Sequence, residues 1–188
     1  MKRHLIIIIL LVGSAPSAAA CGGTISPRPV NCLDQVWAKQ QRPDKQFDIR
    51  NDRSGDDAIS CATLTSPSAF LQALKDIHSQ AQGTPSRSLL ESVRFPLVFV
   101  DKSGVRRVLS EAQLNEKSTL VFNPDVIIFL QNVRLRDMVV INNKGAMFAS
   151  GAVWLQAPDV GAIPKIATIN HQVLEAERRR ISRNRDSD

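Results

Sequence analysis

At residue 93 the spacing of apolar side chains changes, and this constrains the fold more than any other feature of the 188-residue sequence. Upstream, Phe70, Leu71, Leu74 and Ile77 recur at helical spacing. They follow Ser66-Pro67, which reads as an N-cap with proline at the first helical position. Leu33, Val36 and Trp37 define a shorter helix over 32–41, and Leu89 and Leu90 another over 86–93. Downstream the segments become short and β-rich. Phe95 to Val100, the turn Asp101-Lys102-Ser103-Gly104 and Val105 to Leu109 read as a hairpin, with Pro96 marking an edge strand or a strand beginning. Met138 to Ile141 is the next strand. Ala146 to Leu155 reads as one long returning strand bent at Gly151, and Ile163 to Ile169 as the last.

Helices also interrupt the strands. Ser110 with Gln113 forms a capping box, and Asn123-Pro124 opens a helix that turns Val126, Ile127, Leu130 and Val133 toward a core. The implied class is α+β, with N-terminal helices packed on a curved antiparallel sheet. With 43% hydrophobic and 22% charged residues the chain can bury a sizeable core. Its expected organisation is a signal peptide over 1–20, a polar extension over 21–62, an α+β domain over 63–171 and a charged tail over 172–188.

Lys2 and Arg3 precede Leu5 to Val12, an apolar run too short to span a bilayer, and Gly13 to Ala20 are mostly small residues. This pattern predicts export to the periplasm or outside the cell. Ala18-Ala19-Ala20 suits ordinary cleavage before Cys21, while Ala19-Ala20-Cys21-Gly22 is also a loose lipobox. In that alternative Cys21 is lipidated and anchors the protein in the outer membrane. Without Lys2 and Arg3 the 24 basic residues fall to 22 against 18 acidic ones, a net +4, too mild to identify a nucleic-acid binder. Cysteine parity points to one bridge, Cys32 to Cys61, with Cys21 left over. Such a bridge closes a loop of roughly 30 residues and contributes on the order of 3 kcal/mol.

The ordered set Val93-Arg94-Phe95-Pro96-Leu97, Phe122-Asn123-Pro124-Asp125-Val126, Asn143-Lys144-Gly145-Ala146-Met147, Gly151-Ala152-Val153-Trp154-Leu155 and Ile166-Ala167-Thr168-Ile169-Asn170 resembles a group of small exported bacterial proteins. These have a cystatin-like or nuclear-transport-factor-two-like α+β roll and are mostly of unknown function. The resemblance covers about residues 63–171. It implies a cone-shaped sheet whose concave, partly apolar face is closed by helices, a shape that serves enzymes, carriers and binding modules alike.

Motifs for chemistry are sparse. No H-E-x-x-H, zinc-like cysteine spacing or G-x-S-x-G elbow occurs, and Glu116 stands where a phosphate loop ending in Lys117-Ser118 needs glycine. Asp52-Arg53 and Asp56-Asp57 lack the spacing of a calcium loop. His78 and His171 read as surface residues, Asp125 as a helix first-turn residue, and the arginine-rich tail as a charged, frayed end. No catalytic residue, metal site or cofactor is assigned. The expected function is an exported, non-catalytic binding or interaction module of accessory, inhibitor or immunity type, with Met147, Phe148 and Trp154 as contact surface. Strand alternation decides whether Trp154 faces the core or a partner, and the core is the expected side. The alternative is a small SnoaL-like enzyme acting on an apolar ligand in the cone. Expected partners are a protein or a small apolar ligand and not nucleic acid, with a membrane involved only through a lipidated Cys21.

Overall fold

The computed structural model describes residues 31–82 and 88–185. The helices begin where side chains can cap them. Asn31 accepts a hydrogen bond from Leu33 N at the start of α1 (Cys32–Trp37), and Asp44 accepts one from Phe47 N at the start of α2 (Lys45–Asn51). After α3 (Ile59–Thr63), Ser66 Oγ accepts from Ala69 N, and Pro67 opens the 16-residue α4 (Pro67–Gln82). Ser110 and Gln113 make the reciprocal capping box of α5 (Glu111–Val121). Asn123 caps α6 (Pro124–Asn132), where Val126 and Leu130 are buried. The last helix, α7, runs His171–Arg185.

Six strands form one open sheet: β1 (Val93–Val100), β2 (Arg106–Leu109), β3 (Val139–Ile141), β4 (Gly145–Phe148), β5 (Val153–Gln156) and β6 (Lys165–Asn170), in the order β2-β1-β6-β5-β4-β3. The class is α+β, with helices packed on a curved sheet. Four of the five ladders are antiparallel, as expected, but β1 and β6 run parallel, so the sheet is mixed. The reason is the α5–α6 crossover. It carries the chain from the β2 edge to the far edge, and the β3–β6 meander then returns to lie beside β1 in the same direction.

Two strand expectations are corrected. Ala146 to Leu155 is not one bent strand but β4 and β5, an antiparallel pair joined by Ala149–Gly151. Ala149, Ser150 and Gly151 all have positive φ (47°, 54° and 97°), and three such residues in succession reverse the chain. Only Gly151 advertises that conformation in sequence. Pro96, expected at an edge or a strand beginning, lies inside β1, which is paired on both sides. The Phe95–Pro96 peptide is cis, and Pro96 falls in the register gap between Val93 and Val98, where no ladder bond needs its missing N–H.

The expected boundary at residues 62 and 63 falls within α3, whose Ile59 and Ala62 belong to the same core as the sheet. Phe70 and Ile77 of α4, Leu114 of α5 and Leu130 of α6 meet Leu97, Phe99, Phe148, Leu155, Ile166 and Ile169 from the strands, all fully buried. Each contributes roughly 1.5–3 kcal/mol by leaving water. Within the tail, residues 172–185 lie in α7. Leu174 buries into the core, and Arg178 pairs with Asp125 on α6.

Cys32 and Cys61 are joined by a disulfide that ties α1 to α3 across a sequence separation of 29. Replacing both by serine is expected to lower stability by about 3–4 kcal/mol through the freed unfolded chain. A urea midpoint unchanged by the double substitution, or by reduction of the intact protein, is the contrary result. The expected signal peptide over 1–20 and the lipidation candidate Cys21 lie outside the described residues. Among the described residues no helix is long and apolar enough to cross a membrane.

Candidate functional site

Strand alternation gives the sheet two unlike faces. The inner face carries the buried residues Leu97, Phe99, Ala146, Phe148, Val153, Leu155 and Ile169. On the outer face, residue-to-residue pairing runs Val108–Val98–Thr168–Trp154–Met147–Val139, one from each of the six strands. Five inter-strand steps make this row about 24 Å long. Val108 is 52% exposed and Val139 48% at the two ends of the row, and Val98, Thr168, Trp154 and Met147 between them are half-buried. Cross-strand contacts between neighbouring side chains link its members.

Met147 and Trp154 are therefore cross-strand partners on the outer face, which corrects the expectation that Trp154 faces the core. Phe148 is corrected: one step further along β4 it points the other way and is 1% exposed, a core residue. Val98, Val108, Val139 and Thr168 are the members of the row that the sequence did not single out. Their only signal is alternation within strands whose order in the sheet no local pattern reports.

Polar groups border the row. Toward one end of the strands stand Arg94, Lys165 and Gln156. Arg94 Nη1 donates to Gln156 Oε1, Gln156 Nε2 donates to the Lys144 carbonyl at 2.7 Å, and Gln156 lies opposite Lys165. Toward the other end Arg106 pairs with Val100. Gly145 sits where β4 and β5 approach most closely. With φ +96°, a Cβ there would meet the Leu155 carbonyl oxygen at 2.4 Å, so only glycine fits.

At its Met147–Val139 end the row opens into a groove of about 480 Å³ between the sheet edge and α7, with Phe129, Val133 and Ile181 on its apolar walls. The Ala149–Gly151 reversal forms one rim. Ser150 Oγ donates to Glu177, whose carboxyl is held below the usual range first by that bond and then by Arg180. The exposed edge of β3 is already closed, because Ser54 Oγ donates to the Met138 carbonyl at 3.2 Å and accepts from Val140 N at 3.3 Å.

Helices and sheet share one apolar core, and many polar groups within the fold serve it, while Gln40 Oε1 and Gln80 Oε1 are buried without a hydrogen-bond partner. Thr63 Oγ1 donates to the Ile59 carbonyl at 2.7 Å and Thr65 Oγ1 to that of Ala162 at 2.7 Å. Asp48 accepts from Trp37 Nε1 and Ser68 N, and Asp52 accepts from both Ser60 N and Ser60 Oγ. Neither His78 nor His171 is the exposed residue expected. His78 is half-buried, and its Nε2–H donates to the Val133 carbonyl at 2.8 Å. His171 is 4% exposed, edge-on to Phe99 at 4.9 Å, and its Nε2–H donates to the Val121 carbonyl at 2.8 Å. That leaves Nδ1 to accept from the Asn123 amide at 3.4 Å, so the ring is the neutral Nε2–H tautomer.

Burial pushes His171 below the ordinary histidine range, and Lys102 adds to this; the Val121 carbonyl, Asp125 and Asp101 oppose it. Between the folded and unfolded values the unfolded chain holds more protons, so stability is full above pH ~6.5 and falls as the pH drops toward the folded value. Urea unfolding at pH 7.5 and 5.5 is expected to show this loss, and His171→Gln to diminish it. Equal pH dependence in both proteins is the contrary result.

Among the described residues no group of three or more His, Cys, Asp or Glu side chains is placed to hold a metal ion. What the chain presents is an apolar row, an adjoining groove and a cationic border. Comparison with protein-family models finds no match, and comparisons with curated proteins and with solved structures find none either.

Proposed function

We propose that this chain is an exported, non-catalytic interaction module of the α+β roll type, and that the outer face of its sheet is the contact surface. The observation that carries the proposal is the outer-face row crossing all six strands, exposed at both ends and half-buried between them. Contiguous exposed apolar surface bordered by polar groups marks interaction sites. A half-buried Trp154 beside Met147 supplies the aromatic anchor that interface centres favour. Export is supported by the Leu5–Val12 segment and by the disulfide, which persists in oxidising compartments. Secretion to the periplasm and anchorage through Cys21 are both compatible with this role.

The alternative, a SnoaL-like enzyme working inside the cone, requires a polar group free to meet a ligand there. Thr63, Thr65, Asp48, Asp52 and His171 are each engaged in hydrogen bonds within the fold, and this supports the binding reading. A photo-reactive amino acid at Val98, introduced in the native host, is expected to give a discrete adduct. The same residue at Lys75, exposed on α4, is expected to give none. Equal labelling from both positions, or labelling from Lys75 alone, would remove the sheet face as the contact surface.

A further inference from the structure

We infer that the partner is a protein presenting carboxylates beside an apolar strip, and that those carboxylates meet the corner formed by Arg94, Lys144 and Lys165. This rests on the sheet face being the contact surface and specifies what binds there.

The six strands contain Arg94, Arg106, Arg107 and Lys165 and not one Asp or Glu. Of these only Arg107 has a carboxylate partner, Asp101 at 2.8 Å beyond the end of β1. The outer face therefore carries uncompensated positive charge, concentrated at one corner. There Gln156 touches one cationic group, the guanidinium of Arg94, and two further basic residues lie beside it in the fold. It accepts from Arg94, donates to the backbone of Lys144 and stands opposite Lys165. Among the described residues none of the three forms an ion pair. Arg94 and Lys144 also line a notch of about 200 Å³ between the sheet end and the last turn of α3. Its other walls are Ala62, Thr63, Leu64, Asn143, Gly145, Gln156 and Ala157, all neutral. A small cavity lined by an arginine and a lysine and by no acid suits a carboxylate, and an arginine can offer it two parallel N–H donors.

Charge selects among occupants of the face. A second copy laid face to face about a two-fold axis through the row would bring this corner against the end bearing the partner's Arg106, cation against cation. Lipid fits poorly for a different reason. The row is made largely of short β-branched valines flush with the sheet, and its one large aromatic, Trp154, is half-buried rather than protruding. A protein surface with an apolar centre and an acidic rim complements both parts: the row supplies buried area, and the corner fixes register and speeds encounter.

The test uses the full chain with the photo-reactive residue at position 98, in the native host and in its extract at rising salt. The corner is altered by Arg94→Glu with Lys165→Glu. Because Arg94 also holds Gln156, Arg94→Gln with Lys144→Gln serves as a second variant, and both are checked by thermal melting. The expected result is a protein adduct whose yield drops about tenfold in either variant and falls with salt, while Arg94→Lys with Lys165→Arg retains most of it. An adduct insensitive to charge reversal overturns the acidic partner and leaves the contact surface standing. An adduct with twice the chain's own mass overturns it in favour of self-association. Sedimentation of the wild-type chain with vesicles of phosphatidylcholine containing about one-third phosphatidylglycerol, abolished by the same reversal, overturns it in favour of an anionic bilayer. No adduct from position 98 removes the contact surface and the inference together.

Discussion

Replacing Asp48 by alanine is expected to destabilise the protein by about 3 kcal/mol or more, which for a domain of this size lowers Tm by roughly 6–12 °C. The side chain is fully buried. Its Oδ2 accepts from Trp37 Nε1 at 2.8 Å, and its Oδ1 accepts from Ser68 N at 2.7 Å in the first turn of α4. The carboxylate therefore joins α1, α2 and α4 at one point, with its charge facing the positive end of the longest helix. Alanine leaves an indole N–H and a helix N–H without acceptors in a closed space, and each orphan costs about 1–3 kcal/mol. Asparagine repairs only one of the two, because its amide presents a donor to the other. The comparison residue is Asp44, which caps α2 through Phe47 N at 3.0 Å but is exposed, and whose replacement by alanine is expected to cost only about 1 kcal/mol. Urea midpoints at unchanged m-value measure both. If Asp48→Ala costs no more than Asp44→Ala, the extension is held by its disulfide and apolar contacts and not by this carboxylate.

Asp48 also marks where sequence reading stops. Within Lys45-Gln46-Phe47-Asp48 it resembles any solvated helix residue, and its burial depends on partners 11 and 20 residues away. Elements governed by their own termini were legible. Ser66-Pro67, Ser110 with Gln113 and Asn123-Pro124 each announce a helix whose cap bond forms as expected. The disulfide followed from cysteine parity. Features that depend on chain return were not legible. The parallel β1–β6 pair arises from a crossover, and the β4–β5 reversal rests on Ala149 and Ser150 in a conformation neither residue favours. His171 illustrates the same limit, since beside a charged helix it looks exposed, yet the strand before it delivers it under Phe99. Of the candidate surface, Met147 and Trp154 were visible as residues. Their common face was not, because it exists only once β4 and β5 are separate strands in register.

That separation can be tested on adjacent positions. Phe148→Ala is expected to cost about 3–5 kcal/mol, the range for removing a buried phenylalanine that its surroundings cannot refill. Phe148 is 1% exposed, lies opposite Val153 on β5 and packs in the same core as Phe99 and Leu155. It also immediately precedes the three positive-φ residues, so the collapse needed to close the cavity would have to move a backbone reversal that has little freedom. Met147, one residue earlier, has the opposite environment. It is half-buried on the outer face between Trp154 and Val139, and its truncation is expected to cost about 1 kcal/mol or less while thinning the apolar row. The two substitutions should therefore separate stability from partner contact. Phe148→Ala lowers the urea midpoint, whereas Met147→Ala leaves it nearly unchanged and reduces photo-adduct yield from position 98. Equal destabilisation by both would mean that β4 does not alternate between core and solvent. The row from Val108 to Val139 would then cease to be a surface that a partner could meet.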